Sequence, residues 1–206
     1  MSDASLVKSR VIFVRHGQTD FNIGGRVQGV IDIELNEVGR AQAAEMGPIV
    51  ATFQPDAIIS SDLSRAMDTA HEISRHSGLE VVADPRIRER NFGAFEGLSR
   101  DEMLAEHPQW YREWRSTGDC AGAQIESRED VGQRFAEVVV EVVNAAPGTY
   151  VFVSHGSAIT QGITHLLGIA PGSWSGLRGL DNCHWSILEQ ADRSPYWRLV
   201  GHNIGA

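Results

Sequence analysis

The chain has 206 residues, 42% of them hydrophobic and 22% charged, with a formal net charge of −9. That length suits one domain with a proper buried core, and that composition excludes disordered and collagen-like classes. The acidic balance counts against nucleic acid and anionic membrane as partners, but not against a small anion held by a few arginines in a cleft.

Residues 10–14 (RVIFV) form a short apolar, β-rich run that stops at Arg15-His16-Gly17, which predicts a buried strand entering a loop. Asn36 has the character of a helix N-cap, with a helix over 37–53 that Pro48 should kink or divide. Residues 56–60 predict a second strand, 63–76 a helix closed by Gly78, and 80–83 a third strand. Residues 85–97 form a charged, glycine-bearing loop. Ser99 with Glu102 has capping-box spacing and opens a helical region to about 115. Ser127 with Asp130 repeats that signal before a long helix to 145. Residues 149–153 (TYVFV) predict a fourth buried strand, stopped by Ser154-His155-Gly156, and a helix over 158–167 follows. Residues 184–189 and 196–200 predict terminal strands. Alternating strands and helices imply a three-layer α/β/α sandwich around a mostly parallel sheet, in one domain over 1–206.

Cys120 and Cys183 stand far apart and outside any CxxC spacing, so neither a disulfide framework nor a thiolate zinc site is expected. Residues 1–10 lack the apolar run of a secretory leader, and no stretch approaches the ~20 apolar residues of a membrane span. The expectation is a reduced, cytoplasmic protein.

Ligands of open α/β sheets bind beyond the carboxyl ends of the strands. Here three predicted strands end in polar residues: the first delivers Arg15 and His16, the second leads through Ser60-Ser61-Asp62 to Arg65, and the fourth delivers His155. Two guanidinium groups match phosphate oxygens and keep their charge. A neutral imidazole in their field retains a lone pair for attack on phosphorus, and a second imidazole can bond the equatorial oxygens of the transferring group. Gly17 and Gly156 should let the backbone approach an anion, and Asn22 could add an amide donor. One histidine at a strand end is more often structural than catalytic, but two His-Gly strand ends with Arg65 favour function. Adjacent arginines repel a dication and no HExxH occurs, which counts against a metal. The remaining histidines (His71, His76, His107, His165, His184 and His202) read as structural or surface residues. No G-x-S-x-G elbow supports a serine hydrolase.

These residues resemble the histidine phosphatase superfamily, branch 1, also called the phosphoglycerate mutase-like family. The resemblance runs through Arg15-His16-Gly17-Gln18-Thr19-Asp20-Phe21-Asn22, Gln28-Gly29, Leu35-Asn36-Glu37-Val38-Gly39 and Ser60-Ser61-Asp62-Leu63-Ser64-Arg65-Ala66. It continues in Arg88-Glu89, Phe92-Gly93, Phe95-Glu96-Gly97 and Ser154-His155-Gly156, and so covers nearly the whole chain. It implies the phosphoglycerate mutase-like fold, with His16 as the phosphorylated nucleophile. Arg15, Arg65 and His155 become the phosphate pocket, Asn22 a further contact, and Glu89 the acid that protonates the leaving oxygen and then activates water. It implies no metal and no organic cofactor. The first third is most similar to glucosyl-3-phosphoglycerate phosphatases and broad-specificity phosphatases. One departure stands out: Gln124-Ile125-Glu126-Ser127 occupies the place of a Gly-Gly-Glu-Ser segment common in the family.

The resulting expectation is a phosphatase acting on a small phosphomonoester of the sugar or glycerate type through phosphohistidine. The alternatives are a cofactor-dependent phosphoglycerate mutase and an inert phospho-ligand binding module. Glu89 and His155 lie 66 positions apart (155 − 89), which looks short for the segment that encloses substrate in mutases and excludes water. An inert module is disfavoured because Arg15, His16, Arg65, Glu89 and His155 are all present. Residues about 90–126 are expected to cover the substrate, with Gln28, Arg26 and Arg90 as candidate contacts to it. Trp110, Tyr111 and Trp114 read as a core-facing stripe. A small phosphorylated metabolite is the expected partner, with no nucleic acid and no membrane, and a homodimer is left open.

Overall fold

The computed structural model describes residues 8–206; most of the segment that lacks a leader's apolar run lies outside them. In chain order the elements are β1 (Arg10–Arg15), α1 (Asp20–Ile23), α2 (Glu37–Ala51), β2 (Ala57–Ser60), α3 (Ser64–Ser77), β3 (Val81–Ala83), α4 (Arg100–Glu106), α5 (Pro108–Thr117), α6 (Arg128–Ala145), β4 (Thr149–Ser154), α7 (Gly156–Leu166), β5 (Trp185–Gln190) and β6 (Trp197–Ile204). The strands form one sheet in the order β3-β2-β4-β1-β5-β6. The first four are mutually parallel, and β5 and β6 close one edge antiparallel.

Strand alternation divides the core. Val11 and Phe13 of β1 face α6 and α7, together with Phe135, Phe152 and Ile159. Ile12 and Val14 face α2 and α3, with Met46, Ile73 and Val153. All four β1 residues are wholly buried, so this strand is apolar on both sides, as a central strand covered by helices must be. The sheet with its two helical layers is the expected three-layer sandwich.

Local chemistry sets the helix ends. The Asn36 side chain accepts the Gly39 N–H at 2.8 Å and starts α2, and Ser127 accepts the Asp130 N–H to start α6. Gly78 ends α3 at φ +73°. Three features differ from the sequence reading. Thr19 and Asn22 form a capping box over the short α1, where no helix is expected from the sequence. Helix α2 runs through Pro48 to Ala51, so the proline removes one backbone donor without ending the helix. The helical region after Ser99 divides at His107, which leaves helical geometry (φ −135°, ψ 55°) because Pro108 follows and opens α5 at its first position.

A satellite core lies beneath α4 and α5. Phe95, Met103, Cys120, Ala123 and Ile125 form it, and Trp110, Tyr111 and Trp114 pack against it, as a core-facing stripe should. Ile125 thus converts a position that is glycine in the common family pattern into a packed side chain. Its neighbour Gln124 sits at φ +56°, a left-handed conformation that favours glycine.

Gly17 and Gly39 pack backbone to backbone. A methyl group on Gly39 would stand 2.0 Å from the Gln18 carbonyl oxygen, and one on Gly17 would stand 2.4 Å from the Gly39 oxygen. Gly17 is therefore small to admit α2, not to admit an anion. Gly39→Ala should destabilise the fold by about 1–3 kcal/mol in urea unfolding, the range for overpacking. Gln124→Gly should stabilise it by up to ~1 kcal/mol, because a left-handed penalty of ~1–2 kcal/mol outweighs the glycine entropy cost of ~0.5–1 kcal/mol.

Candidate active site

Arg15 pairs with Ser154 at the carboxyl ends of β1 and β4, so His16 and His155 each stand one residue beyond the ladder. The His16 N–H still donates to the Ser154 carbonyl at 3.0 Å. The chain then leaves β1 toward α2 on one face and leaves β4 toward α7 on the other. Adjacent parallel strands whose connections diverge open a crevice at their carboxyl ends. There the two imidazole rings lie 5.1 Å apart, with planes inclined at 58°.

The hydrogen bonds assign both tautomers. A carbonyl only accepts, so the 2.7 Å contact between His16 Nδ1 and the Gly17 oxygen requires the proton on Nδ1. Nε2 is left with its lone pair and no protein hydrogen bond among the described residues. Arg65 Nε donates to His155 Nδ1 at 3.2 Å, so the His155 proton lies on Nε2 and points to Ser61 Oγ at 2.9 Å. The one N–H of His155 is therefore engaged by Ser61, which differs from the expectation that it faces phosphate oxygens.

Arg65 is fully buried and also donates to the Ile31 and Gly29 carbonyls, each at 2.8 Å. Arg15 donates to the Leu180 carbonyl at 2.6 Å, while its buried Nε has no protein partner. Burial lowers both guanidinium values from their ordinary level, and the nearby Glu89 carboxylate acts most strongly in the opposite direction. Both groups stay charged at physiological pH. Burial, then Arg15 and Arg65, hold His16 well below the ordinary histidine value of 6.5. Burial, then Arg65, His16, Arg15 and Arg134, do the same to His155. The result is two neutral imidazoles in a positive field with an unpaired guanidinium N–H: a receptor for an oxyanion beside a free nitrogen lone pair.

Glu89 lies over the start of α7. Its carboxylate accepts the N–H groups of Ser157 (3.1 Å) and Ala158 (2.8 Å), which have no partner within the helix, and of Arg90 (2.8 Å). Asn22 Oδ1 accepts from Thr19 and from Asn182 Nδ2, and its own Nδ2 makes no protein hydrogen bond among the described residues. Gly156 adjoins Arg15: a methyl group there would lie 3.5 Å from Arg15 Nε. Gln28 Oε1 accepts from Thr19 Oγ1 at 2.9 Å, which brings it beside the Asn22 turn.

Two expected contacts are corrected. Arg90 is buried and its guanidinium is committed to the Glu126 and Gly118 carbonyls and to Asp119, so it braces the segment it belongs to at the wall of a cleft. Arg26 pairs in fork geometry with Glu102 and also bonds the Gly97 carbonyl. The six other histidines lie outside the cluster; His107 stacks on Trp110 and His202 bridges Ser186 and the Arg178 carbonyl. Sequence reasoning missed Ser61 as the partner of His155. It also missed Asn182, which donates to the His16 carbonyl and to Asn22, and Thr69, which accepts the Gly17 N–H. Ser61 stands inside the Ser60-Ser61-Asp62 motif, which offered a signal; Asn182 and Thr69 had none.

Two clefts flank the Glu89 segment. One of ≈ 690 Å³ is lined by Arg90, Trp114, Arg115, Ser157 and Trp174, and one of ≈ 540 Å³ by Val30, Arg88, Glu89, Gln124 and Arg134. A larger groove, ≈ 1180 Å³, includes Lys8, Pro147 and Gln190, at the opposite end of β1, β4 and β5, so size does not mark the chemistry here. Among the described residues no group of three or more His, Cys, Asp or Glu could hold a metal ion, and no helix is long and apolar enough to cross a membrane. Both cysteines are free and buried.

The ring proton resonances of His16 and His155 should keep their neutral-imidazole positions as the pH falls from 8 to about 6, and a midpoint near 6.5 for either would contradict the assignment. The folded values lie below the unfolded one, so the unfolded chain takes up protons first. Folding stability should therefore fall as the pH drops below about 6.5, as followed by denaturant midpoints.

The model of the histidine phosphatase superfamily (branch 1) matches residues 11–204. A glucosyl-3-phosphoglycerate phosphatase of Mycobacterium tuberculosis (strain ATCC 25618 / H37Rv) is 37% identical over 212 residues, covering 96% of this chain and 95% of that protein. A probable phosphoglycerate mutase, GpmB, of Yersinia pestis (strain Pestoides F) is 35% identical over 191 residues, covering 91% and 87%. Among solved structures, a mycobacterial glucosyl-3-phosphoglycerate phosphatase complexed with VO3 superposes with a TM-score of 0.87 at 35% identity, over 96% of this chain and 100% of that one. With its sheet order, its paired histidines and this full-length similarity, the chain belongs to branch 1 of the histidine phosphatase superfamily.

Proposed function

We propose that this chain is a phosphoric monoester hydrolase acting on a small phosphorylated metabolite of the sugar or glycerate type, with His16 as the covalent nucleophile. The observation that carries the reading is the His16 ring: Nδ1 is tied to the Gly17 carbonyl, and Nε2 keeps an unshared pair beside Arg15 and Arg65. In the first step Nε2 bonds to phosphorus as the bond to the leaving oxygen breaks, and protonated Glu89 gives that oxygen its proton. In the second, the Glu89 carboxylate takes a proton from water, whose oxygen displaces the imidazole and releases inorganic phosphate. Arg15 Nε, the unused N–H groups of Arg65 and Asn22 Nδ2 serve the phosphoryl oxygens as charge spreads over them. His155 keeps Arg65 in place and remains neutral against His16. Gln28 and Gly156 border the phosphate. No step calls for a metal or an organic cofactor, and we place the enzyme in the cytoplasm.

Residues about 90–126 serve as the substrate-covering segment. Its satellite core and the two clefts beside Glu89 support that assignment. The names of the mycobacterial relatives favour a phosphorylated glycerate bearing a sugar. A mutase reading retains one specific support, the 35% identity to a probable phosphoglycerate mutase.

His16→Ala should reduce turnover at least about 1,000-fold with the fold intact. An alkaline quench of the unaltered enzyme should trap a phosphoramidate on His16, and sustained turnover in the alanine variant would sink the assignment. Glu89→Gln should cost ~100-fold or more in kcat/KM for alkyl phosphates and far less for nitrophenyl phosphate, whose leaving group needs no acid. Assayed on phosphorylated sugars and phosphoglycerates with a bisphosphoglycerate primer, the enzyme should release inorganic phosphate. Primer-dependent isomerisation without release would favour the mutase.

A further inference from the structure

The Glu89 carboxylate is anchored by α7, but the backbone that carries it is not part of the sheet or of any helix: residues 89–92 have no regular secondary structure. Arg90 and the Glu126 N–H, which bonds the Asn91 carbonyl at 2.9 Å, brace its far side, and one guanidinium holds the carbonyls leading into Glu89 and that of Glu89 itself. Arg134, on α6, donates through Nη1 to the carbonyls of Arg86 (2.6 Å) and Arg88 (2.9 Å) and through Nη2 to that of Glu89 (3.1 Å). Its Nε and the remaining Nη2 proton go to Glu126 Oε1 and Oε2, at 2.7 and 3.0 Å. All five N–H donors of Arg134 are thereby engaged. Glu126 Oε2 then accepts the Asn91 N–H at 3.1 Å, so the same ion pair grips the segment on both sides of Glu89. A half-buried ion pair formed only for stability would have no reason to aim three donors at carbonyls on one short irregular stretch.

We infer that Arg134 and Glu126 are positioning residues for the proton transfer at Glu89, acting through its backbone and not through substrate. This rests on the reading of Glu89 as the acid and base of the reaction. It also accounts for Glu126, the carboxylate this chain keeps from the altered Gly-Gly-Glu-Ser pattern, because that carboxylate closes the clamp on residues 86–91. A displacement of about 1 Å in a proton donor can cost ~100-fold in rate, and no other side chain bonds the Glu89 carbonyl among the described residues. The neighbouring Arg88–Asp62 ion pair secures the residue before Glu89 by its side chain and leaves that carbonyl to Arg134.

The test is a double-mutant cycle on the full chain, read as kcat/KM, which reports the steps up to phosphohistidine formation. Arg134→Met should lower kcat/KM for an alkyl phosphate such as glycerol phosphate by ~10–100-fold and change that for nitrophenyl phosphate by less than ~3-fold. Glu126→Gln should show the same split at smaller size. In a Glu89→Gln background, Arg134→Met should add little further loss for either substrate, because the group it positions is already gone. Circular dichroism and thermal unfolding check each fold, and if Arg134→Met does not fold, Arg134→Lys enters the same cycle. Equal losses on both substrates, or additive losses with Glu89→Gln, would overturn the positioning role. If Glu89→Gln alone shows no leaving-group dependence, the acid assignment itself fails, a result separable from failure of the clamp.

Discussion

Parallel pairing of β1 with β4, from Arg10 opposite Thr149 to Arg15 opposite Ser154, joins the core to the chemistry. Side chains alternate along a strand, so a slip of one residue would move Val11 and Phe13 into the layer built for Ile12 and Val14. The same slip would separate the two imidazoles along the strand direction by about 3.3 Å. Burial of both faces of β1 therefore enforces the register that the histidines require. The divergence of α2 and α7 from these strands then provides the opening in which the rings meet.

Two guanidinium groups beneath those rings are an electrostatic liability when no anion is bound, since an uncompensated buried charge is worth several kcal/mol against the fold. Backbone carbonyls bear much of it: Gly29 and Ile31 for Arg65, and Leu180 for Arg15. Glu89 supplies the countercharge without bonding either arginine; its oxygens accept the N–H groups of Ser157, Ala158 and Arg90. The remaining imbalance falls on the imidazoles, which stay unprotonated. Burial first, and then the charge of Arg15 and Arg65, keep a lone pair on His16, so in the proposed reaction the groups that receive the phosphoryl oxygens also help to hold the nucleophile neutral.

The parts of this arrangement written in contiguous residues are legible in the sequence. Apolar runs that stop at Arg15-His16-Gly17 and Ser154-His155-Gly156 announce strand ends, and two such ends in one α/β pattern announce a shared edge. Cap residues Asn36, Ser99 and Ser127 place their helices within a residue or two. What is not legible depends on side-chain direction or on distant partners. Arg90 follows Glu89 directly, yet its guanidinium turns back to Gly118, Asp119 and Glu126. Gly17 reads in sequence as room for an anion, whereas its space is filled by the Gly39 backbone. Arg134 carries no signal of its own, because nothing local shows that carbonyls 45 to 48 residues away will meet it. The tautomer of His155 likewise follows from Arg65 and Ser61, contacts spanning 90 and 94 residues.

Every cationic group at the crevice is a guanidinium, and the chain contains a single lysine, Lys8, just before the amino end of β1. The crevice lies past the other end of that strand. Chemistry confined to lysine side chains would therefore reach this molecule only at Lys8, at the end of β1 away from the crevice, and would leave every guanidinium there unaltered.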